Sequence, residues 1–162
     1  MDQSYSRDFI SCKGYVVYRA VVTDPHDLAW RRLLESYSRI VRTLEKELVN
    51  ECDLPLTWYD ALVQLHEAGG TMRVGDLAAR LLISRSATTR FVDRLERDGL
   101  IERQVLDSDR RGMLVILTAR GRATLRTAAP THLRGIKEHF SSKLSQAQAV
   151  DLARILGELV DT

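Results

Sequence analysis

Between about residues 28 and 49, apolar side chains recur at spacings of three and four. Leu33, Tyr37, Ile40, Val41, Leu44 and Leu48 form the stripe, and Arg31, Arg32, Arg39, Arg42, Glu45 and Glu47 fill much of the remainder. One stripe at that period predicts a long amphipathic helix. A break follows at residues 50–55, which contain Pro55. Thr57 and Asp60 then stand at capping-box spacing, which predicts that Thr57 opens a second helix. It runs to about Ala68 with Leu62, Val63 and Leu65 apolar, and Gly69-Gly70 stops it. A third helix over about 74–81 follows a short extended piece at Thr71-Met72-Arg73. Ser84 is the expected N-cap of a fourth, which ends at Asp98 before Gly99.

The period then changes. Residues 101–106 and 113–117 are β-prone runs, joined by the polar stretch Asp107-Ser108-Asp109-Arg110-Arg111-Gly112. That pattern predicts a hairpin with a charged tip. Thr118 opens a further helix, which Pro130 should bend because it removes a backbone donor. Ser145-Gln146-Ala147-Gln148 is a second capping box, and Leu152, Ile155, Leu156 and Leu159 give the last helix its apolar face. Residues 1–25 follow no clear period. The segment GYVVYRAVV (14–22) fits an added strand, a short helix or a docked arm, and Asp24-Pro25 marks its boundary.

Composition changes the picture in one place. The 162 residues carry a net charge of only +2, with 44% hydrophobic and 28% charged residues. These are ordinary values for a globular chain and exclude wholesale disorder. The charge is uneven: residues 1–70 are net −3, residues 71–126 net +5 and residues 127–162 neutral. Every cation of the middle block is Arg, whose planar fork suits phosphate and guanine edges.

That block contains a helix, a short turn and a second helix ending at Gly99, which is a helix-turn-helix arrangement. Leu77, Ala78, Leu81, Ala87, Phe91, Val92 and Leu95 are placed to pack the two helices together. The other face of the second helix carries Arg85, Ser86, Thr89, Arg90 and Asp93. Short hydroxyl side chains beside Arg suit close approach to phosphates and base edges. The hairpin makes the unit a winged helix. At its tip, Asp109 can pair with a neighbouring Arg, and Arg110 and Arg111 suit a narrow minor groove.

On these residues the sequence resembles the MarR family of bacterial transcriptional regulators. The resemblance runs from about Leu28 to Thr162. It is carried by Asp109-Arg110-Arg111, then Val115-Ile116-Leu117-Thr118 and Gly121-Arg122. Leu77-Ala78, Ser84-Arg85-Ser86 and the run from Val92 to Glu96 add to it. The resemblance implies a mainly α fold with a small β-wing. Residues 57–118 would form the winged helix-turn-helix, 26–56 and 119–162 the helical dimerisation region, and 1–25 an extension outside the family pattern. It further implies a homodimer, a repressor binding double-stranded DNA at a pseudo-palindromic operator; the two cysteines, which make no disulfide framework, fit a reducing cytoplasm. Ser86, Thr88, Thr89 and Arg90 would contact DNA from the recognition helix. Arg111 would enter the minor groove with Asp109 orienting it. A small aromatic or anionic effector would bind near Trp30, Tyr37, Trp58, Tyr59, His66 and His132.

Other readings are weaker. Cys12 and Cys52 make neither a disulfide framework nor a zinc-finger spacing. Glu51 and Asp53 flank Cys52, which disfavours a reactive thiolate, and Cys12 lies beside Lys13. His132 and His139 stand seven apart, a weak start for a metal site with His66. No phosphate loop, G-x-S-x-G elbow or H-E-x-x-H is present, so neither an enzyme nor a cofactor is expected. No apolar run approaches membrane-spanning length. The competing classes are a winged helix serving protein contact, or a redox- or metal-responsive regulator of the same family.

Overall fold

The computed structural model describes residues 9–12, 15–18, 24–81, 83–106 and 109–160; for 9–12, 15–18, 85, 86, 106 and 109–112 it describes the backbone. The chain divides into two compact units, Met1–Val41 and Arg42–Thr162.

In the first unit, β1 (Phe9–Cys12) and β2 (Tyr15–Tyr18) pair antiparallel, with Phe9 opposite Tyr18 and Cys12 opposite Tyr15. Of the readings open for the segment beginning at Gly14, residues 15–18 adopt the strand. Helix α1 (Pro25–Cys52) starts earlier than the apolar stripe suggests. Pro25 suits a first helical position, where no N–H is needed. The Asp24 carboxylate accepts the His26 N–H at 2.7 Å. Trp30 and Tyr37, both on α1, are exposed by 56% and 65%.

In the second unit, the last turns of α1 bury Leu44 and Leu48. Helix α2 (Leu56–Glu67) buries Leu56, Tyr59, Ala61, Leu62 and Leu65. Its start corrects the capping box expected at Thr57. Thr57 is exposed inside the helix, Pro55 is the N-cap, and no side chain of α2 caps it. The Leu56 N–H instead donates to Glu45 Oε2 of α1 at 2.6 Å. An acceptor from another element has taken the role of the local box.

Strand β3 (Thr71–Arg73) leads into α3 (Val74–Arg80) and α4 (Arg85–Arg97). Strands β4 (Ile101–Leu106) and β5 (Asp109–Leu117) follow, and the sheet order is β3-β5-β4, all antiparallel. Strand β5 begins four residues earlier than expected: residues 109–112 are strand, not loop. Val105 pairs with Met113 and Leu106 with Asp109, across a register shift. Arg110, Arg111 and Gly112 thus fall between two pairs without a counterpart on β4, as in a bulge.

Helix α5 (Ala119–His139) is capped by Thr118, whose hydroxyl accepts the Gly121 N–H at 2.9 Å, and it runs through Pro130. A 3-10 turn (Ser141–Lys143) leads to α6 (Gln146–Val160). The second capping box is present in full. Gln148 N–H donates to Ser145 Oγ at 3.2 Å, and Ser145 N–H donates to Gln148 Oε1 at 2.8 Å. No helix among the described residues is long and apolar enough to cross a membrane.

Candidate nucleic-acid interface

Two backbone hydrogen bonds at the end of α3 lead the chain toward α4. Leu81 N–H donates to the Leu77 carbonyl and Ile83 N–H to the Ala78 carbonyl. Leu77 and Ala78 are buried on one side, Val92 and Leu95 on the other. The apolar residues that carry the helix-turn-helix spacing therefore do hold the two helices together.

The buried face of α4 also contains Thr88, 4% exposed, whose hydroxyl donates to the Ser84 carbonyl at 2.9 Å. Thr88 is thereby removed from the set of expected DNA contacts. It lies four residues before Val92, on the face turned inward, and its hydroxyl satisfies its own helix. Among the described side chains of α4, the exposed ones are Thr89, Arg90, Arg94 and Arg97. Arg90 and Arg94 are a helical turn apart, on one face. Neither they nor Arg97 has an ion-pair partner among the described residues. Sequence reasoning missed Arg94 and Arg97; the four-residue step from Arg90 was the signal for Arg94. Ser84 is the N-cap residue, but its side chain makes no cap bond. The side chains of Arg85 and Ser86 lie outside the described residues.

Asp93 faces a different neighbour. Arg103 of β4 donates from Nη1 to Asp93 Oδ1 at 2.6 Å and from Nε to Glu96 Oε2 at 2.7 Å. The guanidinium holds the Glu96 carboxyl below the usual carboxylate range. The strand pair then carries Asp109, Arg110 and Arg111 on β5. Their side chains lie outside the described residues. What the arrangement offers is a helix whose Arg90, Arg94 and Arg97 have no ion-pair partner among the described residues, followed directly by a hairpin with Arg110 and Arg111 on its second strand.

A sequence profile described as MarR family matches residues 53–112. The chain is similar to AbsC, a MarR family transcriptional regulator from Streptomyces coelicolor. Identity is 33%, the TM-score is 0.80, and the match covers 88% of this chain and 96% of AbsC. The chain belongs to the MarR family. Another MarR family regulator of the same organism, Sco3205, solved in complex with DNA, is 30% identical with a TM-score of 0.79. That match covers 86% of this chain and 92% of Sco3205. The transcriptional repressor MprA of Escherichia coli (strain K12) is 30% identical over 80% of this chain and 69% of MprA. As a member of the MarR family, this protein is a transcriptional regulator, not an enzyme.

The residues expected to meet a MarR effector fall in both units. Trp30 and Tyr37 belong to the first unit. In the second, Trp58 is half-buried on α2, and His66 is exposed in the last turn of that helix. His132 of α5 is half-buried against Tyr59, with ring centroids 4.4 Å apart. Its Nδ1 is buried with no hydrogen-bond partner among the described residues, and burial lowers its pKa. An open groove of about 610 Å³ beside α3 is lined by Met72, Arg73, Asp76, Arg80 and Leu114 among others, and by none of these aromatic or histidine residues.

The remaining expectations concern cysteine and histidine. Cys52 Sγ, half-buried, donates to Thr131 Oγ1 at 3.8 Å. The Cys12 side chain lies outside the described residues. His139 Nε2 lies 2.6 Å from Glu47 Oε1. No group of three His, Cys, Asp or Glu side chains among the described residues is placed to hold a metal.

Proposed function

We propose that this protein is a homodimeric, sequence-specific repressor of the MarR family, acting on cytoplasmic double-stranded DNA. The recognition helix α4 enters the major groove through Arg85, Ser86, Thr89 and Arg90, with Arg94 beside them. The wing places Arg111 in the minor groove, flanked by Arg110 and oriented by Asp109. The observation that carries this reading is the outer face of α4, where Thr89, Arg90 and Arg94 are exposed and neither guanidinium group has an ion-pair partner among the described residues. Exposed, unpaired arginines next to a small hydroxyl match what phosphates and base edges require. The DNA complex of Sco3205 and the repressor role of MprA support the same reading.

Dimerisation is supported by apolar surface that the single chain leaves in water. On α6, Val150, Ile155, Leu159 and Val160 are exposed, and Leu133 and Phe140 are exposed on and just after α5. A two-fold partner would cover such surface. In the proposed mechanism a small aromatic or anionic effector releases the dimer from DNA. Within the larger unit, Trp58 and His132 are its contacts.

A winged helix serving protein contact would present apolar anchors on the same face. Among the described residues, none of the exposed positions of α4 is apolar.

The reading is tested by gel-shift titration of a duplex selected from a random pool by the wild-type protein. Arg90→Ala and Arg111→Ala should each weaken binding by about 1–3 kcal/mol. Unchanged affinity in both variants would contradict it.

A further inference from the structure

Helix α4 carries two carboxylates in its second half, Asp93 and Glu96. On a helix that faces phosphate, both would be unfavourable. One residue takes up both of them. Arg103 donates from Nη1 to Asp93 and from Nε to Glu96, and its Nη2 also donates to Glu96. Its main-chain N–H donates to the other Glu96 oxygen, Oε1, at 3.1 Å. Glu96 is thus held through both oxygens by one residue of another element.

The place of Arg103 in the sheet gives this fork its meaning. Arg103 pairs with Val115 of β5, whose side chain is fully buried. The same two strands continue outward to Leu106 and Asp109, and the wing arginines lie on that extension. The fork therefore ties the second half of α4 to the base of the wing.

The tie is poorly placed to contribute stability. The three side chains are 29%, 37% and 33% exposed. Ion pairs open to water to that degree contribute little, because solvent screens them. A planar guanidinium bound to two carboxylates does fix direction, since its donors lie in one rigid plane.

We propose that Arg103 is a positioning residue for DNA recognition. Its fork on Asp93 and Glu96 sets the angle between recognition helix and wing, so that both grooves are engaged at once. It also offsets the acidic charge that α4 would otherwise bring to the phosphates. The inference rests on the DNA-contact reading given above.

The test is a double-mutant cycle on the selected duplex, using the full-length protein. Arg103→Met keeps the aliphatic stem but removes the charge and the fork, while Arg103→Lys keeps the charge and loses the fork. Thermal unfolding of either variant should shift by no more than about 4 °C. Specific affinity should fall about tenfold in Arg103→Met, which is about 1.4 kcal/mol of binding. Arg103→Lys should recover only part of it. The loss caused by Arg111→Ala should shrink when measured on the Arg103→Met background, because a mispositioned wing has less to lose. Equal losses on both backgrounds would overturn the positioning role. No loss from Arg111→Ala on the wild-type background would instead overturn the wing reading, and the inference with it. If Arg103→Met does not fold, Arg103→Lys carries the same cycle. Failure of both to fold would make Arg103 a fold residue and overturn the proposal.

Discussion

A methyl group placed on Gly121 would come to 2.1 Å from the main-chain carbonyl oxygen of Leu100. The first turn of α5 packs that closely on the turn between α4 and β4. Thr118 secures the contact: its hydroxyl faces the carbonyls of Gly99 at 2.7 Å and Leu100 at 3.0 Å. Because the obstructing atom is backbone, it cannot swing aside. Gly121→Ala should destabilise the fold by about 1–3 kcal/mol, the usual cost of overpacking. Thermal unfolding should fall by about 2–4 °C per kcal/mol for a chain of this size. An unchanged midpoint would show that the two turns are less tightly joined.

The His132 ring is half-buried against Tyr59, and burial lowers its pKa. Its folded value therefore lies below the unfolded value of about 6.5. As pH falls below that point, the unfolded chain binds the proton first and stability is lost. His132→Phe keeps a ring against Tyr59 and removes the titration. Between about pH 7.5 and 5.5 the wild type should lose more thermal stability than the variant. Parallel losses would mean that the histidine stays neutral in both states or is solvated in the fold.

Leu159 is 67% exposed on a helix with no buried residue. Leu159→Arg should shift the wild-type dimer toward monomer in light scattering at micromolar concentration. Specific DNA binding should weaken with it, since two half-sites require two linked recognition helices. A wild-type protein already monomeric under these conditions would contradict the dimer.

Much of this architecture is legible in local spacing, and the exceptions have physical causes. Leu77, Val92 and Leu95 mark the helix-turn-helix because burial selects their period. Ser145 and Gln148 form their box because each supplies the acceptor for the other's N–H within one turn, so local spacing is enough to reveal it. Thr57 and Asp60 show a similar pattern, yet Glu45 reaches the start of α2 from another helix, and no local pattern reveals that. The charge of residues 109–112 suggests a loop, but Asp109 pairs with Leu106 of β4 and the strand runs on from there through three residues without a counterpart. Thr88 is expected at the DNA from the resemblance alone, within a hydroxyl-rich run. Only its phase with Val92 and Leu95 reveals that it points inward. Arg103 reads as one more polar residue of a strand, since its partners come from a helix whose orientation the sequence does not state.

The proposed dimer reads two half-sites from one side of the duplex. Two recognition helices in successive major grooves would lie about 34–36 Å apart, or about 10–10.5 base pairs. The most direct measurement is binding to the selected duplex with five base pairs inserted between its half-sites. The insertion turns one half-site to the opposite face of the helix. Specific affinity should then fall toward the non-specific level, and an insertion of about ten base pairs, a full turn, should bring the half-sites back onto one face. Undiminished specific binding to the five-base-pair variant would contradict the account, because the protein would then be reading DNA as a single unit.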